Sequence, residues 1–586
     1  MQRQRFLCIF FLSFFTLIAF LTNADASNCC NDPEPIVPFV HQNGGYGDFL
    51  AGFYAARTND NAIAAQLYNK VMKLNPSNPE LHWVTFYHSV LAGDDLAIHL
   101  AASEKDPIAK LILANDALTK NQWNKAFIYF SNPPPDSFSQ MTYPLLQAWC
   151  IFSLGDHEKA INLLEQQGKN MPLSGLYYLQ QALMYSLMQE EKKAGDKFEQ
   201  AIIYFPGPDL LLTQAYGNWL IRSHRMGKAD ELLGVLIDNL PFLSISEKDL
   251  RTSLLQLPVK NAQQAIAQIY VAVASLIQQD LLGKKNIDFK TSFENKIALH
   301  TEQIFLRLAI NLDPTLSSAK LMLSGVLSQE KQLSLAKNIL LPIANKDPLN
   351  SLMQLRVAQL NEQLGLYTQA EIQLKDIASE QSRLPDVWQS LGDTYFDQKK
   401  YVEAIFSYSK VLSLSNINDK FLWPVLFTRA IAYENLKLWN KAVKDLKKAL
   451  MLAPNEPLLL NYLGYSWALK NTHLVEAQSL LQKAVDISPD EGAIRDSLGW
   501  VMLLNGDTKG AIKQLEHASE SIPQDPELNY HLGVAYWKSG RRREAINQWN
   551  IALTCSPTPE EKKLILEALS KKGQFADFLK KKGNKE

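Results

Sequence analysis

The feature that most constrains this chain is a ladder of small and bulky side chains that recurs every 34 residues. Anchored on Gly533, it sets Leu532 just before, Tyr536 three residues after, and Ala545, Trp549, Ala552 and Pro557 at offsets 12, 16, 19 and 24. The same ladder stands 34 residues upstream as Leu498, Gly499, Ala511, Leu515, Ala518 and Pro523. With one inserted residue it returns as Leu463, Gly464, Trp467, Ala477, Leu481, Ala484 and Pro489, and then as Ala430, Tyr433, Ala442, Leu446, Ala449 and Pro454. Before that come Trp388, Leu391, Gly392, Tyr395, Ala404 and Tyr408. A period of this length suits one pair of antiparallel helices. The glycine and alanines fit where two helices cross closely, and the leucine, tyrosine and offset-16 residue fill the space between them. The late proline stops the second helix, because it has no amide hydrogen and clashes with the preceding turn. One pair cannot bury its apolar face alone, so neighbours must stack.

This pattern resembles the tetratricopeptide repeat, and weaker copies carry it upstream. They are marked by Ala336, Leu340 and Pro348; by Ala358, Ala370 and Leu374; and by Gly217, Ala229, Leu233 and Pro241. Further copies run through Ala182, Ala194, Phe198 and Pro206, through Ala148, Ala160, Leu164 and Pro172, and through Ala114 and Ala126, with Gly52, Ala64, Tyr68 and Pro76 near the start. The fold expected is an all-α superhelical solenoid of about a dozen repeats. Two regions break the period. Residues 242–315 contain long helical stretches, 258–281 and 294–311, joined through Gly283-Lys284-Lys285-Asn286, and read as an expanded repeat at a bend between two arms. Residues 27–45, rich in proline and glycine, read as a flexible leader. The boundaries that follow are a signal peptide over 1–26, the leader over 27–45, a first array over 46–241, the irregular region 242–315, a second array over 316–559, and a capping helix with a basic tail over 560–586. In that last segment Leu564, Ile565, Leu569, Phe575 and Phe578 form the apolar side of the cap.

The N-terminus carries the signs of secretion. Arg3 and Arg5 precede the apolar run Phe6–Leu21, and Ala24-Asp25-Ala26 fits a small-x-small cleavage site, so the mature chain is expected to start at Ser27. The alternative is an uncut membrane anchor, although the run is short of the ~20 residues a spanning helix needs. Of Cys8, Cys29, Cys30, Cys150 and Cys555, the first leaves with the signal, and the rest show no metal-ligand spacing. Acylation at Cys29 fits badly, because Asn28 stands where a small residue is wanted; plain thiols or a disulfide near a flexible end are the expected state.

Composition excludes several functional classes. At 586 residues the chain exceeds the ~250–300 that one core can serve. With 47% hydrophobic residues it is not a disordered polymer, and a net charge of -1 gives no nucleic-acid footprint. The runs Arg541-Arg542-Arg543 and Lys580-Lys581-Lys582 read as solvated helix ends. No metalloprotease, nucleophile-elbow or phosphate-loop motif is present. The histidines are scattered, and His82 and His88 read as ordinary helix-surface residues. The chain is therefore expected to be no enzyme and to bind no metal, cofactor or small-molecule substrate.

What remains is protein recognition. In a stacked array the first helix of each pair lines the inner face, and counting from the glycine anchors puts Asn461, Tyr462, Tyr465, Asp496, Trp500, Tyr530, His531 and Trp537 there. Aromatic anchors beside hydrogen-bonding groups are the usual composition of recognition hot spots. Inter-repeat packing is the competing role for Tyr465 and Trp500. The lysine–asparagine–arginine clamp by which some repeat proteins grip acidic C-termini is set aside, since its positions hold Asn461, Asp496 and Tyr530 and Asp496 repels a carboxylate.

The phrases NYLGYSW (461–467), PDEGAIRDSLGW (489–500) and NYHLGVAYWKSGRRREAINQW (529–549) resemble the long secreted or lipid-anchored tetratricopeptide proteins of Gram-negative, especially alphaproteobacterial, envelopes. The segment from Gly47, GDFLAGFYAARTNDNAIAAQLYNKVMKLNPSNPEL, is similar to that family's first repeat. The resemblance implies a periplasmic adaptor whose relatives hold a C-terminal processing protease and bring peptidoglycan hydrolases to it. An assembly factor for an outer-membrane, secretion or pilus complex is the alternative. A glycan-associated enzyme would need convergent titratable groups that the sequence lacks.

Overall fold

The structure, a computed structural model, describes residues 45–570 apart from 136, 170–172, 206, 284–288, 345, 417 and 418. The signal segment, the leader before Gly45, Cys8, Cys29, Cys30, Pro172, Pro206, the linker residues 284–286, and Phe575 and Phe578 in the tail lie outside the described residues. Among those described there is no strand, and no helix is long and apolar enough to cross a membrane. The chain divides into two units, one ending at Gln381 and one beginning at Ser382.

The second unit is five helix pairs: Pro385–Asp397 with Tyr401–Leu414, Trp423–Asn435 with Trp439–Leu452, Pro457–Leu469 with Leu474–Ile487, Gly492–Leu504 with Thr508–Ser521, and Pro526–Lys538 with Arg542–Thr554. A single helix, Pro559–Ser570, follows and lays Ile565 and Ala568 onto the last pair. Local chemistry sets these ends. Pro385, Pro457 and Pro526 start first helices, where the missing amide hydrogen costs nothing. Asp525 caps one of them by accepting from the Leu528 amide at 2.8 Å. Each pair reverses through a left-handed residue: Lys399, Lys437, Asn471, Gly506 and Gly540. The residue inserted into the third pair is absorbed in that turn, where His473 also takes positive φ.

The 34-residue ladder has a direct physical meaning. A methyl group built on Gly533 would stand 2.3 Å from Trp549 Nε1; on Gly499 it would meet Leu515 Cγ at 2.6 Å, on Gly464 Leu481 Cγ at 2.8 Å, and on Gly392 Tyr408 Cε1 at 2.6 Å. In these four pairs the bulky residue of the second helix fills the notch that glycine leaves in the first. Ala477, Ala484, Ala511, Ala518, Ala545 and Ala552 are fully buried at the crossings.

The first unit opens with six helix pairs, from Tyr46–Arg57 to Met226–Asn239, and closes with the pairs Ser317–Gln329/Leu333–Asn338 and Asn350–Gln363/Tyr367–Glu380. Between them the chain makes a short 3₁₀ segment, Pro241–Ser246, a small helix, Glu247–Ser253, and two long helices, Ala262–Gly283 and Phe289–Leu312. The long helices pack on the first helices of earlier pairs, Pro79–Ala92, Pro107–Thr119 and Ser137–Ser153. Side-chain amides fasten them there. Gln263 Nε2 donates to the Leu118 carbonyl at 3.0 Å, Gln303 Nε2 to the Leu91 carbonyl at 2.8 Å, and Asn115 Nδ2 to Asn311 Oδ1 at 2.8 Å. Tyr87 and His300 join at 2.8 Å, and His300 Nε2 lies 3.1 Å from Glu330 Oε1. Further along, Asn218 on helix Leu210–Arg222 donates to the Leu254 carbonyl at 2.9 Å. On these first helices of the unit, later parts of the chain thus occupy the inner side.

Candidate functional site

In the second unit the first helices Pro457–Leu469, Gly492–Leu504 and Pro526–Lys538 lie side by side, and the last helix Pro559–Ser570 packs against the third of them. Between them is a cleft of about 100 Å³ lined by Ala468, Leu469 and Asn471, by Trp500 and Leu504, by Glu527, Tyr530 and His531, and by Glu561 and Leu564.

Five of the residues that the sequence points to converge here. Asp496 and His531 sit at neighbouring positions of adjacent repeats and meet, with His531 Nδ1 2.9 Å from Asp496 Oδ1 and 3.1 Å from Oδ2. Both are buried. Burial alone would lower the imidazole pKa, but the Asp496 carboxylate outweighs it through charge and hydrogen bonding, with Glu527 and Asp525 adding to it, and the net shift is upward. The pair is therefore spent on itself beneath the surface. Trp500 stacks on the His531 ring at 4.1 Å and is also buried, and Tyr530 lies 6.3 Å from Trp500. Burial, with Glu567 nearby, pushes the Tyr530 hydroxyl up to about 12. Tyr465 spans two repeats and donates its hydroxyl to Glu527 Oε1; burial and that carboxylate push its pKa well above the usual phenol range.

The other three stand apart. Tyr462 donates to Glu434 at 2.7 Å and meets Phe427 edge-on at 5.1 Å. Asn461 holds its Oδ1 buried and without a hydrogen-bond partner. Trp537 stacks on Trp549 at 5.6 Å under the Arg542 guanidinium. Sequence reasoning missed Glu527 and Glu561. Positions 527, 530 and 531 fall at i, i+3 and i+4 of one helix, so the helical face of His531 already contains Glu527.

Among the described residues Cys150 is a buried free thiol and Cys555 a half-exposed one. Burial pushes the Cys150 thiol up to about 12, which suppresses the thiolate. One Ser–His–Glu set occurs: Ser103 Oγ is 3.1 Å from His82 Nε2, whose Nδ1 is 2.5 Å from Glu104 Oε1. The Ser103 hydroxyl also lies 3.0 Å from the Leu100 carbonyl. With Nδ1 donating to the Glu104 carboxylate, Nε2 of a neutral ring can only accept, so the Leu100 carbonyl and the imidazole compete for the one Ser103 proton. No group of three or more histidine, cysteine, aspartate or glutamate side chains suited to a metal ion occurs among the described residues.

Stacked helix pairs with a lined cleft on the first-helix side define an α-solenoid of the tetratricopeptide type. Residues 385–418 match the tetratricopeptide repeat model. Over 178 residues the chain is 26% identical to a TPR repeat-containing protein of Pseudomonas aeruginosa, a stretch covering 28% of this chain and 30% of that one. Over 98 residues it is 35% identical to lipopolysaccharide assembly protein B of Haemophilus influenzae, covering 16% of this chain and 24% of that one. These matches span under a third of either relative's length. Among solved structures, the APC/C hetero-tetramer Cut9-Hcn1 aligns over 89% of this chain and 95% of that chain, at 16% identity and a TM-score of 0.37.

Proposed function

We propose that this chain is a non-catalytic scaffold of the bacterial cell envelope that holds partner proteins on the first-helix side of its second unit. The observation that carries the reading is the cleft at Trp500, Glu527 and Tyr530, where aromatic and carboxylate groups from two repeats and the helix Pro559–Ser570 meet beside Ala468, Leu469 and Asn471 of a third repeat. Buried aromatic anchors ringed by polar groups are what recognition surfaces use. Two clients held on one array gain effective concentration for each other without any chemistry by the scaffold. The envelope setting rests on the secretion-like N-terminus and on the family resemblance. The finer reading makes a C-terminal processing protease and its hydrolase substrates the clients.

A second reading, an assembly factor for an envelope complex, is favoured by the 35% identical stretch shared with lipopolysaccharide assembly protein B. Affinity purification of the mature chain from its native periplasm separates them. A soluble protease or hydrolase recovered in stoichiometric amount supports the first. Recovery of a membrane complex in its place supports the second, and recovery of no protein partner defeats both. Mass measurement of the same material reads the N-terminus; a start at Ser27 is expected, and an acylated cysteine or an intact signal would replace the soluble state with an anchored one.

A further inference from the structure

We propose that the cleft of the second unit receives an arginine side chain from an extended segment of the partner protein, with apolar residues flanking that arginine. The inference rests on the scaffold reading and specifies what the partner must present.

Size comes first. At about 100 Å³ the cleft is far below the several hundred Å³ of a drug-sized pocket, and it fits the end of one long side chain. Charge decides which side chain. The described residues lining it include two carboxylates, Glu527 and Glu561, and no lysine or arginine. The one ring able to carry positive charge, His531, is bound to Asp496 at 2.9 and 3.1 Å, and Glu561 Oε2 accepts from the Thr558 amide at 2.7 Å, so no cationic side chain in the lining pairs with either glutamate. Glu527 accepts from Tyr465, which fixes its carboxylate in place and leaves lone pairs for a second donor. Shape then favours arginine over lysine. Trp500 and Tyr530 present ring surface beside those carboxylates, and a planar guanidinium both stacks on rings and bonds carboxylates with paired donors. Ala468, Leu469, Leu504 and Leu564 supply an apolar wall for the aliphatic stem and for the flanking residues.

The probe is the fluorescein-labelled peptide Gly-Leu-Ala-Arg-Leu-Ala-Gly, titrated into the mature chain by anisotropy, beside versions with lysine, norleucine or glutamate in place of arginine. The expected order is arginine, then lysine, with norleucine and glutamate at least roughly tenfold weaker, the factor that a lost charge-assisted hydrogen bond carries. E527Q and E561Q should each weaken the arginine peptide by a similar factor and leave the norleucine peptide unchanged. Circular dichroism of the same variants should match the parent, since both glutamates are only half-buried. Four peptides binding alike, or an arginine peptide indifferent to both variants, overturns the proposal. So does a parent chain that refuses every peptide while a chain ending at Ser570 binds them, because the occupant is then the protein's own basic tail. Periplasmic partners that are still captured by the E527Q/E561Q double variant leave the scaffold reading standing and remove only this inference.

Discussion

Replacing Gly533 by alanine tests the reading of the repeat most sharply, because the intrinsic helix scale and the packing predict opposite signs. In a helix interior alanine is favoured over glycine by about 1 kcal/mol. At Gly533 the new methyl would lie 2.3 Å from Trp549 Nε1 and 2.5 Å from its Cδ1, where carbon contacts normally need about 3.5–4 Å. The indole must retreat by more than about 1 Å. It is fully buried and donates to the Tyr530 carbonyl at 3.2 Å, so it cannot retreat freely. Overpacking costs about 1–3 kcal/mol and the strained hydrogen bond about 1 more; against the helix gain, the net loss is about 1–3 kcal/mol. Gly234 is the control: it lies within helix Met226–Asn239, and a methyl there meets nothing within 4 Å. Gly234→Ala should therefore stabilise its helix by up to about 1 kcal/mol. Amide hydrogen exchange of the whole chain, read by mass spectrometry, reports each helix separately, which suits a repeat array that need not unfold in one step. Peptides within 526–554 of Gly533→Ala should exchange roughly 5- to 150-fold faster, and those within 226–239 of Gly234→Ala should exchange more slowly. Unchanged or slower exchange around Gly533 would show that the glycine is not a packing notch.

Two further outcomes follow from buried ionisable groups. His531 has its pKa raised in the folded chain, so its pairing with Asp496 contributes stability that is full below about pH 6.5 and is lost as pH rises through the folded value. Helix Pro526–Lys538 should accordingly be better protected at pH 6 than at pH 8.5, with the difference abolished in Asp496→Asn; equal protection at both pH values would contradict it. Glu302 is the opposite kind of site: burial raises its carboxyl to about 7, and its Oε1 has no hydrogen-bond partner. A carboxyl raised in this way favours the fold while protonated and weakens it as pH climbs from about 4.5 through 7. Glu302→Gln should raise the first unit's unfolding midpoint at pH 8 by the equivalent of about 1–3 kcal/mol and do little at pH 5, as a urea titration would read.

The parts of the fold legible from sequence are those fixed by contacts inside one repeat or between neighbours. Gly392 with Tyr408, Gly464 with Leu481, and Gly499 with Leu515 are each 16 or 17 residues apart, so their matching sizes appear as a spacing. The contacts that hold Ala262–Gly283 and Phe289–Leu312 in the first unit left no such trace. Gln263 with Leu118 and Gln303 with Leu91 join residues 145 and 212 positions apart, and no periodicity encodes a helix laid across several repeats. At the cleft, sequence counting brought Tyr465, Asp496, Trp500, Tyr530 and His531 to one face. It did not show that Asp496 and His531 would neutralise each other, because that depends on how one repeat sits on the next. Glu561 was hidden for a related reason: it belongs to the closing helix, which lies outside the repeat and has no equivalent from which to count.

That closing helix has a consequence for how tightly anything is held. Pro559–Ser570 supplies Glu561 and Leu564 to the cleft and is fastened through Ile565 and Ala568 to the pair before it. How often a helix opens locally follows from how much it buries, and this one buries two residues, Ile565 and Ala568. Whenever it lifts, one wall of the cleft goes with it, so the apparent dissociation constant is the intrinsic one divided by the fraction of time the helix is seated. Affinity is then adjustable from beneath: trimming Ile565, which faces away from any guest, loosens the grip as surely as altering a residue that touches it.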